Sequence, residues 1–222
     1  AMCGNGIRCV AYVAHRHGHA GARMRIRTSA GLRHAEILGR HRVRVQMGCP
    51  RLVKSVGRVA LGRGRTADAV LIDSGVPHLV CRVDDVAALD VRTIGRRLRH
   101  DPRVGRSGAN VDFIQLMGSR RAGTRTLVRL RMRTYERGVE AETQACGTGA
   151  VAAAAASCAR LLDGSRPGRL SVEAEVRVPG GTLRVQLGAR RSQGIQFSPA
   201  LLEGEARPLT EGTAWWNGRQ RG

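Results

Sequence analysis

Two cysteines stand at the starts of glycine-rich turns, and each turn leads into a run of helix-forming residues. The first turn is Cys3-Gly4-Asn5-Gly6, ahead of 7–15, and the second is Cys146-Gly147-Thr148-Gly149, ahead of 150–162. The first backbone N–H groups of a helix lack partners within the helix, so they attract anions and lower the pKa of a thiol placed there. The sequence therefore predicts two reactive thiols, each beside a site for a carboxylate.

Two thiols that face each other across a cleft suit proton transfer at the α-carbon of an amino acid. Inversion of that carbon needs a base on one face and an acid on the other, and a thiolate with a thiol supplies both. The N–H groups of the helix starts would stabilise the charge that spreads into the carboxylate, and the glycines would let the backbone come close. This chemistry requires no metal and no organic cofactor, and we expect none.

The composition is that of a folded protein with an aliphatic core. The chain has 222 residues, of which 42% are hydrophobic and 3% aromatic. Its alanine-rich run is interrupted by Ser157 and Arg160 and falls short of the roughly 20 residues of a membrane helix. The six cysteines show neither zinc-site spacing nor the density of a disulfide scaffold, so we expect reduced thiols and a cytoplasmic protein. A disulfide between Cys3 and Cys146 stays open as an inactive, oxidised form.

The formal charge of +21 raises the question of nucleic-acid binding. All basic residues except Lys54 are arginines, and they often alternate with apolar residues, as in 23–27. That alternation is typical of the solvent face of a strand, and no aromatic stacking partners are interleaved. We therefore do not expect nucleic acid as a partner, although a non-catalytic, arginine-rich binding protein remains the alternative from another functional class.

The remaining pattern predicts an α+β protein with mostly antiparallel strands. A helix is expected over 86–99, capped by Asp84-Asp85, and the turn 163–168 should end the second cysteine-bearing helix. Strands are predicted over 22–28, 32–38, 42–47, 67–73, 78–83, 110–117, 126–134, 170–178 and 183–187. The arrangement favours two lobes, each a curved sheet packed around a helix that carries one cysteine at its start.

Five motifs occur in the order found in one enzyme family. They are Cys3–Cys9 (CGNGIRC), Pro77-His78, Gly108–Val111 (GANV), Tyr135–Val139 (YERGV) and Ala145–Gly149 (ACGTG). With them the chain resembles the diaminopimelate epimerase family over nearly its whole length. The resemblance implies two pseudo-symmetric lobes, a homodimer, and a cofactor-independent isomerase that interconverts LL- and meso-diaminopimelate in lysine and peptidoglycan biosynthesis.

The resemblance also implies roles for particular residues. Cys3 and Cys146 would be the acid–base pair, with His78 and Glu136 tuning the thiols. The reacting carboxylate and amine would be held by Gly4, Asn5, Gly147 and Thr148, and the rest of the substrate by Asn110, Glu136 and Arg137. For Arg137 the residue type alone gives the same reason, because a planar guanidinium binds a remote carboxylate through two hydrogen bonds.

The chain departs from the family pattern in three places. Val76 stands where many members have Asn, which keeps a related racemase of another amino acid open as an alternative. The segment 138–143 is one residue longer than the common pattern, which would alter the aim of Arg137. The family's opening segment is expected to be missing. We therefore predict a partial N-terminal lobe over 1–47 and a C-terminal lobe over 48–207. An alternative is that the segment 208–222 returns to the N-terminal lobe.

Overall fold

The computed structural model of the protein describes residues 3–163 and 168–212. In these ranges the helices are α1 (Gly4–Arg16), α2 (Val91–Leu98) and α3 (Gly147–Leu162), with a short 3-10 helix at Pro102–Val104. The strands are β1 (Arg23–Thr28), β2 (Gly31–Ile37), β3 (Arg42–Gly48), β4 (Arg51–Gly62), β5 (Arg65–Asp73), β6 (Pro77–Arg82), β7 (Asn110–Ala122), β8 (Arg125–Glu136), β9 (Ala141–Thr143), β10 (Gly168–Val178), β11 (Gly181–Arg191), β12 (Ile195–Phe197) and β13 (Ala200–Glu205).

All of these strands belong to one sheet. Its order is β1-β2-β3-β13-β11-β10-β8-β7-β6-β5-β4, with β12 beside β11 and β9 beside β8. Every pairing is antiparallel except β6 with β7 and β8 with β10. β13 lies between β3 and β11, so it joins the first three strands to the rest of the sheet.

The sheet curves around α3, which packs against β4 to β8 and against β10 and β11. Twelve of the sixteen residues of α3 are buried, because its alanine run offers small side chains on every face. α1 packs against β1, β2, β3 and β13, and it also contacts α3. One hydrophobic core contains residues of α1, α3 and the strands around them. The predicted fold class, a curved and mostly antiparallel sheet wrapped around helices, is confirmed.

A second core lies on the opposite face of the strands β4 to β8, under α2. Successive residues of these strands point to opposite faces, so Leu71 and Leu79 enter this core while Ile72 and Val80 enter the core around α3. Both faces of this part of the sheet are therefore buried, which explains why β5 and β6 are rich in Val, Leu and Ile.

The predicted helix over 86–99 is wrong at its start. α2 begins at Val91, where the Asp90 side chain caps it by accepting from the N–H of Thr93 at 3.0 Å. The Asp85 side chain instead accepts from the N–H of Ala87 in the preceding turn. An aspartate side chain forms the same local hydrogen bond in a turn as in a helix cap. The sequence alone therefore does not distinguish Asp85 from Asp90 as the residue that caps α2.

Four strands, β4, β9, β12 and β13, were not predicted. β4 pairs with β5 through three register shifts, so its side chains do not alternate regularly and the sequence signal is lost. The predicted stop after α3 falls partly on 164–167, and the tail with Trp215 and Trp216 also lies outside the described residues. The lobe boundary between Met47 and Gly48 stays a prediction. In the described part of the tail, Glu211 forms an ion pair with Arg16 of α1 at 2.8 Å.

Within 3–163 and 168–212, none of the helices has the length and apolar content needed to cross a membrane.

Candidate active site

Each of the two motif cysteines is the N-cap residue of a helix. Cys3 caps α1, and its sulfur accepts from the N–H of Gly6 at 3.4 Å. Cys146 caps α3, and its sulfur accepts from the N–H of Gly149 at 3.3 Å. Both cysteines have extended backbone conformations, so the two thiols stand in the same local geometry.

The starts of α1 and α3 meet at Gly4 and Gly147. A Cβ built on Gly4 would lie 3.3 Å from the Cα of Gly147, and a Cβ on Gly147 would lie 3.3 Å from the Cα of Gly4. Any larger residue would push the helix starts apart. Since consecutive Cα atoms are about 3.8 Å apart, Cys3 and Cys146 stand next to this junction, one from each helix.

Two polar side chains of α1 tie its first turn together and reach the other cysteine motif. Asn5 donates through Nδ2 to the carbonyl oxygen of Ala145 at 3.3 Å. Arg8 donates to the carbonyl oxygen of Gly4 at 3.0 Å and to Oδ1 of Asn5 at 2.6 Å. Asn5 therefore connects the start of α1 to the residue that precedes Cys146.

A chain of buried polar groups leads away from the Cys146 thiol. The sulfur lies 3.4 Å from Oγ1 of Thr148, which lies 3.0 Å from Nε2 of His78. Nδ1 of His78 lies 2.6 Å from Oδ2 of Asp112, and His78 and Asp112 are both completely buried. The other oxygen of Asp112 accepts from the hydroxyl of Thr134 at 2.7 Å.

Asn110 settles which nitrogen of His78 carries the proton. The backbone N–H of Arg137 donates to Asn110 at 2.7 Å, so the Asn110 atom at that position must be the carbonyl oxygen. Its amide nitrogen then faces Nε2 of His78 at 3.3 Å, which makes Nε2 an acceptor. The proton of a neutral His78 is on Nδ1, where it is donated to Asp112.

The hydrogen bonds then run in one direction. The Cys146 thiol donates to Thr148, and the Thr148 hydroxyl donates to His78. The side chains of Asn110 and His78 both form hydrogen bonds that maintain this arrangement. The role of Asn110 in holding substrate stays a prediction.

Cys146 differs from the expectation of a lowered pKa. Burial and, to a smaller extent, the nearby Asp112 carboxylate raise the pKa of its thiol to about 12. The Gly149 N–H, which donates to the sulfur, and the neighbouring Thr148 hydroxyl lower the pKa but are outweighed. The expectation was wrong for this thiol because the helix start is covered by the rest of the fold, which disfavours the charged form. Cys3, by contrast, is exposed.

Glu136 and Arg137 follow one another at the end of β8. Glu136 is half-buried and lines a cleft of about 780 Å³ together with Asn5 and Arg8. Its carboxylate has no hydrogen-bond or ion-pair partner among the described residues. Arg137 donates through Nη1 to the carbonyl oxygens of Ser107 and Gly108, each at 3.4 Å, which leaves most of its guanidinium free to bind an anion.

Sequence reasoning missed Asp112, Thr134 and Ser74. Asp112 is the one charged residue within the apolar run 110–114, and a carboxylate in such a run was the signal that could have identified it. Ser74 donates to the carbonyl oxygen of Thr148 at 2.9 Å and so supports the turn that begins α3. The six cysteines are all free, so the structure represents the reduced form of the protein.

Comparison with known proteins gives consistent results. The sequence model of the family described as diaminopimelate epimerase matches residues 70–198. A diaminopimelate epimerase of Aquifex aeolicus is 38% identical over 75% of the chain and 56% of its own length. Another, from Methanocella arvoryzae, is 35% identical over 95% of the chain and 70% of its own length.

A similar fold occurs in a solved structure of a probable proline racemase from Agrobacterium radiobacter. The TM-score is 0.60 at 15% identity, over 92% of this chain and 65% of the other. At this identity the likeness concerns the fold alone. The family model and the sequence relatives carry the assignment: the chain belongs to the diaminopimelate epimerase family of isomerases.

Proposed function

We propose that this chain interconverts LL- and meso-2,6-diaminopimelate by transferring protons between its two cysteines and the α-carbon of the substrate. The contact of the two helix starts at Gly4 and Gly147 carries this proposal. It brings two thiols and two sets of unpaired N–H groups to one junction, as a two-base reaction on an amino acid requires.

The structure supports different resting states for the two sulfurs. Cys146 is buried and donates its proton to Thr148, so we assign the neutral thiol to it. The two-base reaction needs one thiolate, and we assign that role to the other cysteine, the exposed Cys3. Cys3 then removes the α-proton of one isomer while Cys146 protonates the opposite face, and the roles reverse for the other isomer.

The helix starts supply the electrostatic part of the reaction. As the α-proton leaves, negative charge spreads into the α-carboxylate, and N–H groups aimed at it stabilise that charge by about 3 to 4 kcal/mol for each good donor. Gly4, Asn5, Gly147 and Thr148 stand at the two starts and are assigned this role. Glu136 and Arg137 would bind the amine and carboxylate at the far end of the substrate.

His78 acts through Thr148 and not through direct contact with the sulfur. Its Nε2 accepts from the Thr148 hydroxyl, which leaves an oxygen lone pair to accept from the Cys146 thiol. When Cys146 has given its proton to the substrate, the Thr148 hydroxyl can rotate and donate to the sulfur. We assign His78 the role of orienting this hydroxyl, and Glu136 that of a negative charge near Cys146.

The two-base reaction predicts the fate of the α-hydrogen. In deuterated water the protein should exchange the α-hydrogen of LL-diaminopimelate as it forms the meso isomer, and mass spectrometry detects the label. Cys3→Ala and Cys146→Ala should each abolish inversion, because either change removes the acid or base on one face. Cys49→Ala is the matched control, since Cys49 is exposed and belongs to neither motif.

Two outcomes would contradict this proposal. Inversion by either single alanine variant at the parent rate would exclude the two-base reaction. A parent protein that exchanges the α-hydrogen of another amino acid but not of diaminopimelate would favour the related racemase and exclude the proposed substrate.

The assembly and the location of the protein are also proposals. Membership in the family supports a homodimer, and six free cysteines are typical of the reducing cytoplasm. Sedimentation of the protein at several concentrations tests the dimer, and a monomer at all of them would contradict it.

A further inference from the structure

Arg8 is a buried cation without a charged partner. Its exposed fraction is 4%, and within the described ranges it forms no ion pair with a carboxylate. Its two terminal nitrogens donate to neutral oxygens, those of Gly4 and of the Asn5 amide. The third nitrogen, Nε, is buried and has no hydrogen-bond partner among the described residues.

Such an arrangement is costly unless a negative charge lies nearby. A buried ion without a counter-charge loses the solvation that water would give it, and arginine does not escape this cost by losing its proton. Burial lowers the pKa of Arg8, while the negative charges of Cys9 and then of Cys3 would raise it.

The groups around Arg8 leave few candidates for the missing charge. α1 presents Cys3 and Cys9, and β8 presents Glu136 across the cleft. The other charged residues that line the same cleft are Arg42 on β3, Arg184 on β11, Glu203 and Glu205 on β13, and Arg207 after it. Glu203 pairs with Arg42 at 3.1 Å and Glu205 pairs with Arg207 at 2.9 Å, so their charges are already compensated.

Glu136 lines the same cleft but forms no ion pair with Arg8, whereas the hydrogen bonds of Arg8 to the first turn of α1 favour Cys3 as the charge that it compensates. Its guanidinium donates hydrogen bonds to Gly4 and Asn5, the two residues that follow Cys3. A Cβ built on Gly147 would lie 3.7 Å from Nη1 of Arg8. The guanidinium of Arg8 thus lies next to the junction of Gly4 and Gly147. Cys9 is exposed and has no part in that junction.

We propose that Arg8 is a positioning residue that stabilises the thiolate form of Cys3 from inside the protein while it orients Asn5 toward the Cys146 turn. The inference rests on the proposed role of Cys3 as a base. It adds a fixed positive charge to the helix start, and this charge is present before any substrate binds.

The test is the rate at which iodoacetamide alkylates Cys3 at neutral pH in the substrate-free protein. Cys9→Ser and Cys49→Ser form the background, so that mass spectrometry follows one exposed thiol. In Arg8→Met the rate should fall about tenfold, because iodoacetamide reacts with the thiolate and removal of the buried cation disfavours that form. Arg8→Lys keeps the charge and should retain the rate within about threefold.

Two further variants keep the result decisive. Arg16→Met removes an exposed cation from the same helix and should leave the rate unchanged, because Arg16 is paired with Glu211 away from the junction. If Arg8→Met does not fold, Arg8→Gln preserves an amide donor for Gly4 and gives the same comparison without charge.

A folded neutral variant that alkylates at the parent rate would overturn the inference. Equal losses in Arg8→Lys and Arg8→Gln would do so as well, since they would indicate a role in shape alone. Alkylation needs no substrate, so this result stands apart from the exchange assay on LL-diaminopimelate, which tests the proposed function.

Discussion

Asp112 fixes the direction of the hydrogen bonds that reach Cys146. Its carboxylate has only acceptor atoms, so it holds the proton of His78 on Nδ1 and keeps Nε2 free to accept from Thr148. An amide in its place has a donor nitrogen, which can turn toward Nδ1 and favour the other tautomer. Nε2 would then carry the proton and face the amide nitrogen of Asn110, which is also a donor.

We expect Asp112→Asn to lower kcat by about 100-fold, at the low end of what a positioned acid or base contributes. KM should change little, because Asp112 lies behind His78 and not at the helix starts. Steady-state kinetics of epimerisation measure both quantities. Asp68→Asn, on an exposed position of β5, is the control and should retain the parent kcat. An unchanged kcat in Asp112→Asn would contradict the tautomer argument.

At the scale of the element, α3 tolerates additional volume on one face and not on another. Ala154 is completely buried, whereas Ala156 is half-buried and lines a cleft of about 660 Å³ between α3 and β4 to β8. Ala154→Leu should lower the free energy of unfolding by about 1 to 3 kcal/mol, because close-packed neighbours cannot move aside. Ala156→Leu should lower it by less than about 1 kcal/mol, and urea unfolding measures both. Equal losses would contradict the packing described for α3.

The buried thiols of α3 make stability depend on pH. Burial raises the pKa of Cys158 and of Cys146 to about 12, whereas a thiol of the unfolded chain ionises near pH 8.5. Above that pH the unfolded chain binds fewer protons than the folded one, so the free energy of unfolding falls as pH rises. Each such thiol lowers the free energy of unfolding by about 1.4 kcal/mol for each pH unit, until the pH reaches the pKa of that thiol in the folded protein.

Between pH 9 and 11 we therefore expect the free energy of unfolding to fall less in Cys158→Ala than in the parent protein. The difference should equal the contribution of one thiol. Urea unfolding at several pH values measures the two slopes. Cys49→Ala should keep the parent slope, since Cys49 is exposed in the folded protein. Identical slopes for the parent and Cys158→Ala would show that the Cys158 thiol is not protected from ionisation.

The elements differ in how far the sequence predicts them. The starts of α1 and α3 follow from local residues, because a cap residue and glycines act within one turn. The start of α2 does not, since Asp84, Asp85 and Asp90 are equally good caps and packing decides between them. Strand β4 is hidden by its register shifts.

The candidate site shows the same division. The identity of its cysteines follows from the motifs, but their surroundings depend on tertiary structure. The raised pKa of Cys146 is caused by burial and by Asp112, which is 34 residues before Cys146 in the sequence. Neither the carboxylate nor the degree of burial is visible in the turn itself.

At the scale of the whole molecule, β13 supports both helix starts at once. A Cβ on Gly4 would lie 3.2 Å from Cδ2 of Leu202, and one on Gly147 would lie 2.9 Å from the same atom. Leu202→Ala should therefore cost about 2 to 5 kcal/mol in stability and also reduce epimerisation, because the cavity lets the two starts move. Leu201→Ala, on the other face of β13, should cost less and keep the activity. Full activity in Leu202→Ala would contradict this account.

The place of β13 also sets the order in which the molecule can be completed during synthesis. Its residues, 200–205, are synthesised after the other strands of the described ranges, yet they lie between β3 and β11 in the finished sheet. Until then the nascent chain holds two unjoined pieces of sheet, each with one cysteine-capped helix. A chain that stops before β13 would keep both thiols but lack the strand that joins the two pieces, so we expect the common junction of the two helix starts to form only after β13 has been made.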